Sequence, residues 1–215
     1  MTTYDYFSIA YGALATVSLS LVSIALGVPL GLGLALIRWS RLPILNQLTI
    51  GYVSIVRTCP SVTLVLLIFY ALPVVGISME PLSAAILTLT LSTAAFNTEI
   101  WRSALANFPR DQYDAALTVG MRRGLRFRRI VLPQIVRSSL PALVNEMTLQ
   151  IKSTPAVAVI GIVEITRAAI RVGARTYDPL PPFVVALVLY SLIVFVFVKT
   201  QRTIERRYAQ AGAPV

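Results

Sequence analysis

Apolar residues are gathered into five long stretches separated by shorter polar segments. Residues 6 to 37 and 179 to 198 contain no charged side chain, and residues 82 to 98 are uncharged too. Residues 42 to 79 and 138 to 163 are also apolar, although each carries charge near its middle. A helix needs roughly 20 apolar residues to cross the hydrocarbon core of a bilayer. The pattern therefore predicts an all-α integral membrane protein with five transmembrane helices.

The stretches predict a single transmembrane domain over residues 1–215. The five spans are expected at about 9–37, 44–75, 82–101, 136–160 and 180–200. A cytoplasmic loop at 103–134 then separates the third span from the fourth, and an external helix or loop occupies 161–179. The first stretch lacks a basic segment before it and is too long for the apolar region of a signal peptide, so we expect it to be retained.

Composition supports a bilayer as the solvent of this chain. Hydrophobic residues make up 56% of it and charged residues only 13%, and the mean hydropathy is +0.76. One soluble core of this size cannot hide so much apolar surface.

Charge indicates the orientation in the membrane. Placing the N-terminus outside and the C-terminus in the cytoplasm puts most of the 19 lysine and arginine residues inside. These are Arg38 and Arg41, the basic residues from Arg102 to Arg137, and those from Lys199 to Arg207. The net charge of +10 is thereby explained by topology, and because the arginines are spread over separate loops we expect no nucleic-acid partner.

Several kinds of chemistry are missing from the sequence. With one cysteine and no histidine, the chain has no disulfide, no zinc cluster and no imidazole for a catalytic triad. It also has neither a G-x-S-x-G elbow nor a G-x-x-x-x-G-K-[ST] phosphate loop. We therefore expect a protein that is not an enzyme and binds neither a metal nor a cofactor of its own.

The segment from Asn107 to Gln134 is the longest polar insertion. Pro109 can begin a helix, which Gly120 ends or opens to another backbone, and Pro133 is expected to stop the basic helix that follows. Small and charged residues on such a helix are typical of a plug that fits a groove in a partner. A basic helix resting on anionic membrane lipid explains the same composition, with each arginine contributing about 1 kcal/mol.

The spacing within this segment resembles the EAA loop of permease subunits of bacterial binding-protein-dependent ABC importers. Asp114 stands where that family usually has glutamate. The resemblance implies the type I ABC importer permease fold, with a coupling helix between spans 3 and 4. It implies that this helix enters a cleft of a cytosolic ABC ATPase dimer, which binds MgATP. The residues that match are Asp114, Ala115, Ala116, Gly120, Arg122, Arg123, Leu132 and Pro133.

Other segments resemble the polar amino acid branch of the same family. These are Arg57-Thr58-Cys59-Pro60, the A-x-x-x-E-x-x-R pattern ending at Arg102, Asn145-Glu146, Lys152-Ser153-Thr154-Pro155 and the V-I-G-x-x-E pattern ending at Glu164. The resemblance implies import of an amino acid or related zwitterion delivered by a solute-binding protein. Ser153 stands where the branch usually has aspartate, which removes a negative charge and favours a solute without a cationic side chain.

Two of the predicted spans are interrupted according to one plan. Arg57-Thr58-Cys59-Pro60 and Lys152-Ser153-Thr154-Pro155 each place a cation before small polar residues and a proline. Proline disrupts the preceding helix, and the restarted helix directs its positive end at an anionic group. We therefore expect Pro60 and Pro155 in the first turns of restarted helices.

These interruptions predict a solute site near the middle of the membrane. The candidate residues are Arg57, Thr58, Cys59, Pro60, Glu146, Gln150, Lys152, Ser153 and Thr154. Glu146, Gln150 and Ser153 have the spacing of one helix face and are expected to point into one cavity. An alternative is that Glu146 pairs with Lys152 or Arg57 only to neutralise buried charge. For Glu99, an ion pair with Arg102 three residues later is a sufficient explanation.

Five helices with a polar half-site require a second permease subunit, identical or homologous, to complete a pathway. Gly27, Gly31 and Gly33 permit close helix contact in the first span. The segment 164–182 predicts a short amphipathic helix, which either receives the binding protein or lies on the outer membrane surface. The competing functions are a membrane scaffold or assembly protein and an ion-coupled secondary carrier.

Overall fold

The predicted all-helical fold is confirmed in the part of the chain that the structure describes. The computed structural model describes residues 1–40 and 42–210; Arg41 lies outside it, as do the side chains of Arg206 and Arg207. The α-helices, numbered α1 to α9, are Thr3–Ser40, Pro43–Thr58, Ser61–Val74, Pro81–Ala106, Arg110–Thr118, Arg123–Arg126, Leu132–Ser153, Ile165–Thr176 and Leu180–Gln210. A π-helix, Phe127–Val131, precedes α7, and a 3-10 helix, Thr154–Ile160, follows it.

Helices occupy every predicted span, but they differ in how readily each crosses a bilayer. Thr3–Ser40 and Leu180–Thr200 are each long and apolar enough to cross alone. Helices α2 and α3 reach that length only together, and they bend by 117° at the break after Thr58. The second predicted span is therefore a broken element, as its proline indicated.

The central helix α4 is the most deeply packed, which explains its modest hydropathy. Its buried residues are largely alanines and threonines, with Asn97 and Thr98 fully buried. The buried face of α4 contacts other helices instead of lipid. Small residues that allow close helix packing therefore occupy it in place of large apolar ones. Two of these threonines donate their hydroxyls to carbonyls of α4 itself: Thr88 to Ala84 and Thr98 to Ala94, both at 2.7 Å.

The most extensive helix contact in the described residues joins α1 to α4 through glycines. A methyl group placed on Gly27 would lie 2.6 Å from the Cβ of Thr93, and one on Gly31 would lie 2.9 Å from the Ala94 carbonyl oxygen. Gly33 has nothing within 4 Å. The first two glycines of the predicted contact thus serve packing within this chain.

The expectation that Pro133 stops the basic helix is wrong. The π-helix runs directly into α7, in whose first turn Pro133 lies. The Leu132 amide donates to the Phe127 carbonyl five residues back. This wider turn gives room for the proline ring, which otherwise clashes with the carbonyl four residues before it.

The two ends of α1 contact different parts of the molecule. Near its C-terminus Arg38 pairs with Glu99 of α4. At its N-terminus the buried Asp5 pairs with Arg175 of α8. Because α1 has 38 residues, these ion pairs lie about 50 Å apart along its axis. Helix α8 and the C-terminal end of α4 are therefore at opposite ends of the bundle.

Gly27→Ala is expected to lower the free energy of unfolding by about 1–3 kcal/mol, because the added methyl collides with Thr93. Gly33→Ala is the matched control: it meets open space and is expected to stabilise the helix by about 0.5–1 kcal/mol. Denaturant titration of the purified protein in detergent, followed by circular dichroism, compares the two. Equal stability of both variants would contradict the close approach of α1 to α4.

Candidate functional site

A cavity of ≈ 630 Å³ lies between the bent second element, α4 and α7. Arg57, near the C-terminus of α2, and Glu146, in the middle of α7, both line it. The same cavity extends along α4 to Asn107, Phe108 and Pro109, the residues that connect α4 to α5. Its wall is therefore continuous from the break in α2–α3 to the start of the helix predicted to couple to an ATPase.

The cavity contains one cation and one carboxylate that do not form an ion pair. Among the described residues no ion pair within 4 Å joins Glu146 to Arg57 or to Lys152. The Arg57 guanidinium instead lies over the Phe96 ring, 5.3 Å from its centroid. Cation–π contact holds the guanidinium without neutralising it. Neither charged group thus has a direct ion-pair partner in the described residues.

Glu99, a third charged residue of the wall, is already compensated. The expected pair with Arg102 is confirmed, with Arg102 Nη2 at 2.8 Å from Glu99 Oε2. The other carboxylate oxygen accepts from Arg38 of α1, a partner that the sequence pattern did not show. Arg38 is 61 residues away along the chain, so only the packing of α1 on α4 brings the two together.

Neutral polar side chains complete the cavity. Ser103, Gln134, Ser138, Ser139 and Asn145 all line it. The Ser139 hydroxyl is buried and has no hydrogen-bond partner in the described structure. A buried hydroxyl without a partner is costly, so Ser139 is a ready contact for a polar ligand. None of these five was predicted as a solute residue, because serine, glutamine and asparagine within α4 and α7 do not interrupt the helical pattern; Asn145 stood out only as part of the Asn145-Glu146 motif.

The other predicted solute residues do not line this cavity, although Thr58 lines an adjacent cavity of ≈ 470 Å³ to which Arg57, Phe96 and Glu99 also contribute. Thr58 is exposed and its hydroxyl donates to the Ser54 carbonyl at 2.8 Å. Cys59 follows the last residue of α2, and Pro60 is the residue before the first turn of α3. Lys152 is exposed at the end of α7. A solute role for these four residues stays a prediction.

The expectation that Glu146, Gln150 and Ser153 point into one cavity is wrong. Gln150 is only 3% exposed, and its amide donates to the Leu89 carbonyl of α4 at 3.2 Å. The Ser153 hydroxyl donates to the Leu149 carbonyl, and the buried Thr154 hydroxyl donates to Ile151. Helical spacing alone gives the wrong surroundings for Gln150, because the face of α7 that carries it packs against α4. Pro155 lies in a 3-10 turn rather than a restarted α-helix.

Helix α5 occupies the position predicted for the coupling helix. It begins after Pro109, carries Asp111 in its first turn, and exposes Asp114 and Ala115. Ala116 is buried at 4% exposure, so the two adjacent alanines face opposite surroundings. Tyr113 anchors the helix: the Arg126 guanidinium lies 3.9 Å from its ring centroid and donates to its hydroxyl at 2.7 Å.

The end of α5 explains Gly120. Gly120 has φ +73°, and its amide donates to the Leu117 carbonyl at 2.9 Å, while Met121 donates to Ala116 at 3.1 Å. This pair of bonds is a Schellman motif, which requires the left-handed conformation at its glycine. A methyl group on Gly120 would meet nothing within 4 Å. Glycine is therefore needed here for the left-handed backbone conformation, and not because a side chain would collide with a neighbour.

The remaining predicted coupling residues surround α5. Arg122 and Arg123 are exposed where α6 begins, Leu132 is half-buried, and Pro133 is exposed in the first turn of α7. Asp114 also lines a second cavity of ≈ 640 Å³ that Arg38, Arg102 and Arg110 share. An exposed acidic helix thus lies in a strongly basic setting.

The protein family of this chain is identified by comparison with known families. The family model described as "Binding-protein-dependent transport system inner membrane component" matches residues 27–210. This chain belongs to that family. It is therefore a membrane component of a transport system rather than an enzyme.

Two transport system permease proteins and one solved transporter structure are similar to this chain. A nopaline transport system permease protein, NocM of Agrobacterium fabrum, is 39% identical over 84% of this chain and 79% of its own length. A histidine/lysine/arginine/ornithine transport system permease protein, HisQ of Escherichia coli, is 32% identical over 94% of this chain and 93% of its own. A crystal structure titled "an amino acid ABC transporter with histidines" is 28% identical, has a TM-score of 0.85, and covers 93% of this chain and 94% of that chain.

Gly120→Ala is expected to accelerate amide hydrogen exchange in α5, because a left-handed alanine costs about 1–2 kcal/mol and that cost favours local opening by a factor of about 5–30. Gly120→Asn should behave more like the parent, since asparagine tolerates this conformation. Gly124→Ala, also in open space but on an ordinary helical turn, is the control. Unchanged exchange in Gly120→Ala would show that the motif does not hold α5.

Proposed function

We propose that this chain is the membrane-spanning subunit of an ATP-driven importer for a polar amino acid or related zwitterion. A solute-binding protein delivers the solute, and a cytosolic ABC ATPase dimer supplies the energy from MgATP. The observation that carries this proposal is the single cavity that joins Arg57 and Glu146 to Pro109, the residue before α5. Movement of α5 then changes the wall of the compartment that holds the solute.

A zwitterion suits the two unpaired charges of the cavity. The carboxylate of the solute pairs with Arg57, and its ammonium group pairs with Glu146. Ser138, Ser139 and Asn145 supply hydrogen bonds to the rest of the molecule. Because Glu99 is already paired with two arginines, no third charge is free in the cavity wall. This inventory favours a solute with a neutral polar side chain, in agreement with the expectation based on Ser153.

The exposed side of α5 is the surface that contacts the ATPase in this proposal. Asp114 and Ala115 are accessible, whereas Tyr113 and Ala116 fix the helix to the bundle. Only Asn107, Phe108 and Pro109 separate α4 from α5. Such a short connection transmits a displacement of α5 directly to α4, which carries Phe96 and Glu99 of the cavity wall.

The arrangement of α1 supports an outside N-terminus. Its C-terminal Arg38 lies beside the basic end of α4, from which α5 follows, whereas its N-terminal Asp5 holds α8. A helix of 38 residues is longer than the roughly 30 Å hydrocarbon core. The positive-inside preference then places α5 and the C-terminus in the cytoplasm and α8 outside.

A second permease subunit covers the open side of the cavity. Ser54, Arg57 and Thr58 are exposed at the break between α2 and α3. Polar groups at membrane depth avoid lipid and face protein or a water-filled pathway. Pairing with an identical or homologous chain provides such cover and completes the pathway.

Copurification tests the assembly. The tagged chain, extracted with the products of its neighbouring genes, is expected to retain an ATPase subunit in stoichiometric amount and to hydrolyse ATP in proteoliposomes. Uptake competition should then rank neutral polar amino acids above lysine and arginine. A chain that purifies without an ATPase, yet accumulates solute on an ion gradient, would support the secondary carrier instead.

Arg57→Gln and Glu146→Gln are each expected to lower solute uptake by about thirtyfold or more, because each removes one partner of a charge-assisted contact. Lys199→Gln is the control, since Lys199 is exposed on α9 outside the cavity and its loss should change uptake by no more than about twofold. Basal ATP hydrolysis should survive in all three variants. Normal uptake in the double variant of Arg57 and Glu146 would show that the solute does not bind between these two charges.

Asp114→Asn is expected to lower uptake per ATP hydrolysed by roughly tenfold, since it removes the charge of an exposed docking contact. The isosteric change keeps the shape of α5, and Asp111→Asn on the same helix is the control. Both quantities are measured on the same proteoliposomes. Coupling that stays normal in Asp114→Asn would remove Asp114 from the docking interface.

A further inference from the structure

Glu164 is a fully buried carboxylate at the start of α8, outside the cavity and away from α5. Its Oε1 accepts from the Arg167 amide at 2.7 Å, and its Oε2 accepts from the Thr166 amide at 2.8 Å. Its backbone carbonyl accepts from Ala168 at 2.9 Å. The carboxylate thus caps the helix by itself, which suits the positive end of the helix dipole.

The same carboxylate reaches a second helix. Tyr190 of α9 donates its hydroxyl hydrogen to Glu164 Oε2 at 2.7 Å, and the Tyr190 hydroxyl lies 3.2 Å from the Thr166 hydroxyl. From α8, Arg167 donates to the Ala158 carbonyl of the 3-10 helix Thr154–Ile160. Helices α8 and α9 and the 3-10 helix therefore share one hydrogen-bond network.

Helix α1 closes the network from the other side. A methyl group on Gly12 would lie 2.9 Å from the Glu164 carbonyl carbon, so the backbones nearly touch. The Ile165 amide donates to the Thr16 hydroxyl at 3.3 Å. At its far end α8 is held by the pair between Arg175 and the buried Asp5. Both ends of α8 are thus tied to α1.

The hydrogen-bond network around Glu164 is more than the stability of the bundle requires. A buried charge is expensive, and an apolar residue of similar volume commonly gives equal or greater stability. A fully satisfied network instead specifies one relative position of the elements it joins. Here those elements include the 3-10 helix that begins directly after Ser153, at the end of the helix carrying Glu146.

We propose that Glu164 is a positioning residue that makes α8, the 3-10 helix Thr154–Ile160 and the adjoining parts of α1 and α9 one rigid outer clamp. The clamp moves as a unit when the bundle changes between its outward and inward openings. A load on the exposed face of α8 is thereby passed to the end of α7. The inference rests on the proposed import function.

Tyr190→Phe removes the link to α9 while keeping the ring, and it is the principal test. The matched control is Tyr177→Phe, the same change at a residue that is 95% exposed. The reporter is Val159→Cys, a 45% exposed position on the 3-10 helix, in a Cys59→Ser background. The complex with its ATPase is reconstituted, and the reaction rate of the reporter with a polar maleimide is measured with and without ATP and vanadate.

In the reporter background, trapping with ATP and vanadate is expected to change the labelling rate by about tenfold, because the clamp moves as a unit and carries the reporter into a different environment. In Tyr190→Phe the change should fall to no more than about twofold, while assembly and basal ATP hydrolysis are kept; Tyr177→Phe should match the parent. Glu164→Gln, which keeps one capping oxygen, is expected to repeat the effect of Tyr190→Phe.

Each outcome is decisive. A full response in both Tyr190→Phe and Glu164→Gln would overturn the clamp while leaving the importer intact. Loss of assembled complex in both variants would show that the network serves folding alone, which also overturns it. A parent that assembles and hydrolyses ATP but shows no response at Val159→Cys would refute the motion of the clamp. A parent without an ATPase subunit would refute the import function itself and the clamp with it.

Discussion

The close approach of α1 to α4 at Gly27 and Gly31 is the contact on which the rest of the structure depends. Side chains on these glycines would enter the space of Thr93, Ala94 and Asn97. Because lipid gives no hydrophobic drive for helix association, close backbone packing of this kind supplies the contact energy instead. It also brings Arg38 to Glu99, so an ion pair between distant parts of the chain follows from the packing of two helices.

This packing also decides which face of α4 is open to the cavity. Thr93, Ala94 and Asn97 lie against α1, so the part of α4 that α1 leaves uncovered carries Phe96 and Glu99 into the cavity. Phe96 holds the guanidinium of Arg57, which comes from the broken second element. The cavity is thus assembled from three elements, and α4 contributes to both the rigid half of the bundle and the compartment wall.

The two ends of the bundle are built by different means. At one end α5 is short, exposed and held mainly by Tyr113 and the Schellman motif at Gly120, which suits a helix that docks on another protein. At the other end α8 is tied to α1 at both its termini and to α9 through the buried Glu164. Under the proposed function, a displacement of α5 would act on a bundle whose far end is cross-linked by these hydrogen bonds and this ion pair.

Local signals in the sequence were sufficient for the helices, the break before Pro60 and the position of α5, and they left open whether Gly120 ends α5 or admits another backbone. Each of these predictions depends on residues that are neighbours along the chain: apolar length, a missing amide hydrogen, a helix-starting proline. Only the tertiary structure decided that Gln150 bonds to Leu89, that a π-helix accommodates Pro133, and that Glu164 joins α9. In each case the partner or the packing constraint lies elsewhere in the fold, and helical periodicity cannot state which face a neighbouring helix will cover.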